Sequence, residues 1–136
     1  YNIDSLTVAE VNEDEHMSRI TIVTTATPQV INQIKAQLQR LVPVHRVVDL
    51  TVETDSVERE LALVKVAGKG NDRVEALRMS EAFRARVVDA TPESFVFEIT
   101  GNTAKIDAFI GLMVPLGLQE VSRTGVAAIA RGPERM

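Results

Sequence analysis

The feature that most constrains this chain is an apolar pattern that occurs twice. Ile34, Leu38, Leu41, Val42 and Pro43 recur as Ile106, Ile110, Met113, Val114 and Pro115, 72 residues further on. In each copy the apolar residues keep helical spacing and a proline follows, marking a helix with one buried face and a defined end. The surrounding order is shared as well: two alternating strands, the helix, then another strand. Such a repeat implies an α+β chain built from two related halves.

In the first half, Leu6 and Val8 alternate with Thr7 across residues 2–10, and Ile20 and Ile22 alternate with Thr21 and Val23 across 18–25. Both stretches read as half-buried strands joined by the acidic loop Val11–His16. Thr27-Pro28 reads as a helix start, a capping hydroxyl followed by a proline at the first helical position. Val30, Ile31, Ile34, Leu38 and Leu41 predict one core face running to Leu41, and Pro43 ends it. Val48, Leu50 and Val52 predict a third strand over 44–52. The polar run Glu53–Glu58 places a boundary there, giving halves 1–54 and 55–136.

The second half predicts a strand over 59–67, a turn at Gly68-Lys69-Gly70-Asn71 and a helix from Asp72 to Arg86. Ala76, Met79, Phe83 and Val87 line the apolar side of that helix. Strands at Val87–Thr91 and Ser94–Thr100 flank Pro92. A helix capped by Asn102 or Thr103 carries Ile106, Phe109, Ile110 and Met113, Gly117 closes it, and 118–130 is the final strand. This is a complete βαββαβ unit, whereas the first half lacks the opening strand and helix. The chain also begins at Tyr1 rather than Met, so it reads as an N-terminally incomplete version of a longer one. The first strand of such a sheet is central, and its backbone groups need partners.

Composition narrows the function. A net charge of −4 with only 4% aromatics offers neither a basic face nor stacking platforms for nucleic acid. No Cys is present, which removes disulfides and thiolate chemistry, and a reducing cytoplasm fits. No apolar run is long enough to span a membrane. His16, in Glu13-Asp14-Glu15-His16, could be drawn as a metal ligand but reads as a solvated hairpin tip, and His45 lacks an acidic partner nearby in sequence. Gly68-Lys69-Gly70 before a helix resembles a phosphate cradle without the full P-loop spacing, so a turn is the default. Ser18, Ser80, Ser94 and Ser122 lack a nucleophile elbow, Met79 and Met113 are core fillers, and the alternating charges after Asn71 read as a solvated helix face. No catalytic residue and no metal site is assigned.

Tyr1-Asn2-Ile3-Asp4-Ser5-Leu6-Thr7-Val8 and Met17-Ser18-Arg19-Ile20-Thr21-Ile22-Val23 resemble the ACT domain of the regulatory (small) subunit of acetohydroxyacid synthase, also called acetolactate synthase. Val57-Glu58-Arg59-Glu60-Leu61-Ala62-Leu63-Val64-Lys65-Val66 resembles the junction into that subunit's C-terminal domain. So do Phe83-Arg84, Val88-Asp89-Ala90-Thr91-Pro92, Thr100-Gly101, Lys105-Ile106-Asp107-Ala108-Phe109 and Ser122-Arg123-Thr124-Gly125-Val126. The resemblance covers essentially the whole chain in order. It implies two ferredoxin-like halves, an ACT domain over 1–54 lacking its first strand and helix, and a second domain over 55–136.

The resemblance further implies a non-catalytic partner of a thiamine-diphosphate-dependent catalytic subunit, with thiamine diphosphate, magnesium and FAD bound only on that partner. The subunit raises the partner's activity and confers inhibition by valine or a related branched-chain amino acid. ACT domains pair into a homodimer with the effector at the interface, and Asn2 and Ile3 match one edge of that pocket. An Asn amide can bond the effector's polar end while Ile shapes an apolar wall. The alternative is a ligand-sensing ACT-type transcriptional regulator, which the acidic balance and the lack of a helix-turn-helix segment disfavour.

Overall fold

The structure is a computed structural model that describes residues 3–12, 17–41, 44–51 and 55–133. The chain divides into two compact units, Tyr1–Glu58 with Ala127–Met136, and Arg59–Val126.

In the first unit, β1 (Ile3–Asn12) and β2 (Met17–Thr24) form an antiparallel hairpin. Leu6 lies opposite Ile22 and Val8 opposite Ile20, so one face is aliphatic; Thr7 opposite Thr21 lies on the other. The connecting residues 13–16, including His16, lie outside the described residues. Helix α1 spans Pro28–Gln39. Thr27 caps it as the sequence implies, its Oγ1 accepting the Val30 N–H at 3.3 Å. The helix stops short of Leu41 because its last turn tightens, with Arg40 N–H donating to Gln37 and Leu41 N–H to Leu38. Pro43 lies outside the described residues.

Among the described residues the strand expected over 44–52 does not form: residues 44–49 are irregular and 50–51 turn, and Val52 lies outside them. Alternation places side chains on two faces, but a strand exists only by pairing, and among the described residues the hairpin sheet contains β1 and β2. Asp49 also supplies a local alternative, accepting from the Thr51 N–H at 3.0 Å and the Thr51 hydroxyl at 2.6 Å.

The strand β3 runs Ser56–Val66, followed by α2 (Asn71–Ala82), β4 (Arg86–Ala90), β5 (Phe95–Gly101) and α3 (Thr103–Met113). A 3-10 turn over Val114–Leu116, β6 (Leu118–Arg123) and β7 (Ala127–Ala130) complete the chain. The sheet order is β4-β5-β3-β6, with each of these neighbours antiparallel, and β7 also pairs with β3. Across Arg59–Val126 that is the order of a ferredoxin-like βαββαβ unit. The whole chain is α+β, and no helix among the described residues is long and apolar enough to cross a membrane.

The core of the second unit lies between this sheet and its helices. Ala62, Val64 and Val66 of β3 alternate inward with Phe95, Phe97 and Ile99 of β5, against Ile106, Phe109 and Met113 of α3. Each large aliphatic or aromatic side chain so buried stabilises the fold by about 1.5–3 kcal/mol. Phe97 and Phe109 meet edge-on with centroids 6.0 Å apart. Asn102 is the cap of α3, accepting the Lys105 N–H at 2.9 Å.

Two expectations for this unit are corrected. Helix α2 ends at Ala82 rather than Arg86, because Arg84 turns left-handed (φ 57°) and the Ala85 N–H closes back onto the Ser80 carbonyl. Val87 therefore belongs to β4, opposite Phe97, and is 42% exposed instead of lining the helix. The single strand expected over 118–130 is broken between β6 and β7, where Gly125 adopts φ 88°.

Candidate functional site

Of the two residues implicated in effector binding, Asn2 lies outside the described residues and Ile3 opens β1. Ile3 pairs with Thr24 and is 54% exposed. The register then slips so that Asp4 is an extra residue between Ile3 and Ser5, a β-bulge that turns the strand end. The Asp4 carboxylate accepts the Thr25 hydroxyl at 2.9 Å, two residues before the Thr27 cap. The strand start, the bulge and the entrance to α1 are thus tied to one end of the hairpin.

Leu6, Val8 and Ile20 are all more than half exposed, while Ser5, Thr7 and Thr21 are half-buried. The aliphatic face that alternation marks as the core face is therefore the more open one. Thr7 Oγ1 is shut off from solvent with no hydrogen-bond partner among the described residues. Elsewhere in this unit, Gln39, Val44, His45, Arg46 and Val47 line a shallow depression of about 190 Å³.

Gly68-Lys69-Gly70 is a packing turn. A Cβ on Gly68 would collide with the Leu116 carbonyl oxygen, and one on Gly117 would come within 2.7 Å of the Gly68 nitrogen. The Ala67 N–H donates to the Gly117 carbonyl at 2.8 Å across this crossing. The first glycine is therefore explained by close backbone approach. Gly70 caps α2 at φ 60°, a conformation that favours glycine.

Sequence reasoning missed an ionic cluster. Arg123 at the end of β6 bonds through Nε to the buried Glu60 carboxylate of β3, and through one Nη to Asp107 of α3 at 2.8 Å. Burial works against the Arg123 cation, but hydrogen bonds to Asp107 and Glu60, with their charges, outweigh it and raise its pKa. Only spatial proximity unites these residues, so no motif could have revealed them. Arg73 makes a second such link, its guanidinium 3.9 Å over the Phe95 ring and Nη2 donating to the Thr91 carbonyl at 2.8 Å. Neither arrangement presents a nucleophile with its base. Among the described residues, no group of three or more His, Asp or Glu side chains could hold a metal ion.

Comparison with known proteins places this framework. The family model described as the small subunit of acetolactate synthase matches residues 59–132. The chain is 40% identical over 135 residues to a probable acetolactate synthase small subunit of Archaeoglobus fulgidus, covering 99% of this chain and 83% of that protein. It is 44% identical over 132 residues to the acetolactate synthase small subunit of Aquifex aeolicus, covering 96% of this chain and 68% of the relative. The crystal structure of the small subunit from Thermotoga maritima superimposes with a TM-score of 0.80 at 37% identity, over 98% of this chain and 82% of that one. Similarity of this extent, in sequence and backbone alike, makes the chain a member of the acetolactate synthase small-subunit family.

Proposed function

We propose that the chain is the non-catalytic regulatory subunit of acetolactate synthase. In this reading it binds the thiamine-diphosphate-dependent catalytic subunit, raises its rate and passes on feedback inhibition by valine or a related branched-chain amino acid. The observation that carries the reading is the match along nearly the whole chain to proteins named as small subunits. Thiamine diphosphate, magnesium and FAD stay on the catalytic partner, and both work in the cytoplasm.

Residues 1–54 act as an ACT domain and 55–136 as a second ferredoxin-like domain. Two copies pair through their ACT domains, with Asn2 and Ile3 forming one wall of an effector pocket at the interface. The Asn2 amide can both donate to a carboxylate and accept from an ammonium group, while the exposed Ile3 side chain meets the branched aliphatic tail. An effector held between two copies inhibits only if it binds one arrangement of the complex more tightly than the other.

Reconstitution tests this directly. The chain alone forms no acetolactate from pyruvate; the small subunit added to the catalytic subunit raises its rate, and valine then lowers it. A catalytic subunit whose rate and valine response are both unchanged by the small subunit overturns the proposal.

A further inference from the structure

The segment Ser122-Arg123-Thr124-Gly125-Val126 has a structural logic that the regulatory reading leaves unused. On its inner side it is heavily tied. Arg123 bonds to Glu60 and Asp107, the Thr124 N–H donates to the Leu61 carbonyl at 3.0 Å, and the Leu61 N–H donates to Thr124 Oγ1 at 3.1 Å. Val126 is 3% exposed. The unit Arg59–Val126 therefore ends on a fastened edge.

Beyond the φ 88° turn at Gly125 the character changes. Strand β7 has four residues, three of them alanine, and its one large side chain, Ile129, is 55% exposed. Its continuation bonds from the Arg131 N–H to the Asp55 carbonyl at 2.9 Å. Segments with little apolar burial open locally at much lower free energy than the core. We propose that β7 is a detachable strap hinged at Gly125, which releases from β3 while Arg59–Val126 stays folded. The Arg123–Thr124 fastening is the stop that keeps this opening from spreading into β6.

Native-state hydrogen exchange on the whole chain tests the strap. Amides of 127–131 should exchange about 100-fold faster than those of 62–66, with almost no dependence on low urea, because little surface is exposed on release. The 62–66 amides should show the steep urea dependence of global opening. Val64→Ala weakens a core that is folded whether the strap is bound or released, so it should speed exchange at 62–66 about tenfold while leaving 127–131 unchanged. Equal rates and urea slopes in the two segments, or equal loss of protection in both on Val64→Ala, would overturn the proposal.

Discussion

Ile34 and Ile106 occupy the same place in the repeated pattern, but Ile34 is half-buried and Ile106 is wholly shielded from solvent. Leu41 and Met113 diverge further, at 55% and 0% exposed. The helices differ little in local design, since both begin at a side-chain cap that accepts the N–H three residues on. What differs is the layer beneath. In Arg59–Val126 the strand order β4-β5-β3-β6 carries two inward-facing aliphatic and aromatic rows against α3. In the first unit the sheet among the described residues is the β1–β2 hairpin, whose aliphatic face is open. Amphipathic spacing marks which side of a helix wants burial; the neighbouring layer decides how much it receives.

The sharpest way to break this comparison is to truncate both isoleucines. Ile106→Ala should destabilise the second unit by about 3–4 kcal/mol, through lost transfer energy and an uncollapsed cavity. Ile34→Ala should cost about 1 kcal/mol or less, because its site is already partly solvated. Urea unfolding followed by circular dichroism reads both, and equal costs would remove the distinction. Next in size is Gly68→Ala, expected to cost about 2–3 kcal/mol in the same measurement, since the new Cβ meets the Leu116 backbone rather than a movable side chain.

The ionic cluster sharpens the contrast from the polar side. Arg123→Met strands the buried Glu60 carboxylate and should cost about 2 kcal/mol. Adding Glu60→Gln should recover part of that loss, because an unpartnered amide is less costly to bury than an unpartnered charge. A double mutant no more stable than Arg123→Met would mean that packing by the Arg123 stem, not the charge, carries the effect.

These residues also show what a sequence makes legible. The caps Thr27 and Asn102 are readable because hydroxyl or amide, helix start and accepted N–H lie within three residues. The βαββαβ succession of elements in the second unit is readable from alternation in β3 and β5 and helical spacing in α3. Its ferredoxin-like sheet order is instead what the family resemblance implies. The extra strand assigned to 44–52 was not readable in the same way, because pairing is non-local and Asp49 competes through its own side chain. Glu60 and Arg123 are 63 residues apart, and Gly68 meets Gly117 only once β3 and the 3-10 turn cross. At the start of β1, the bulge at Asp4 depends on a register slip that alternation does not encode. The role assigned to Asn2 and Ile3 rests on family resemblance, since an Asn at a strand start is otherwise a turn residue.

The smallest effect is the most discriminating for the first unit. Leu6→Ser removes an aliphatic side chain that is 55% exposed and opposite the half-buried Ile22. On residues 1–136 the change should stay within about 0.5 kcal/mol, the range of surface substitutions. The corresponding change on the other sheet, Val64→Ser, removes a side chain with no exposure and leaves a hydroxyl in an aliphatic core. Its cost of at least 2 kcal/mol sets the scale for the comparison. If Leu6→Ser instead costs as much as Val64→Ser, the hairpin's aliphatic face is covered in solution. The contrast between the units would then lie in what covers the two sheets, not in whether they are covered. A small cost leaves Leu6, Val8 and Ile20 as an open apolar face in this chain.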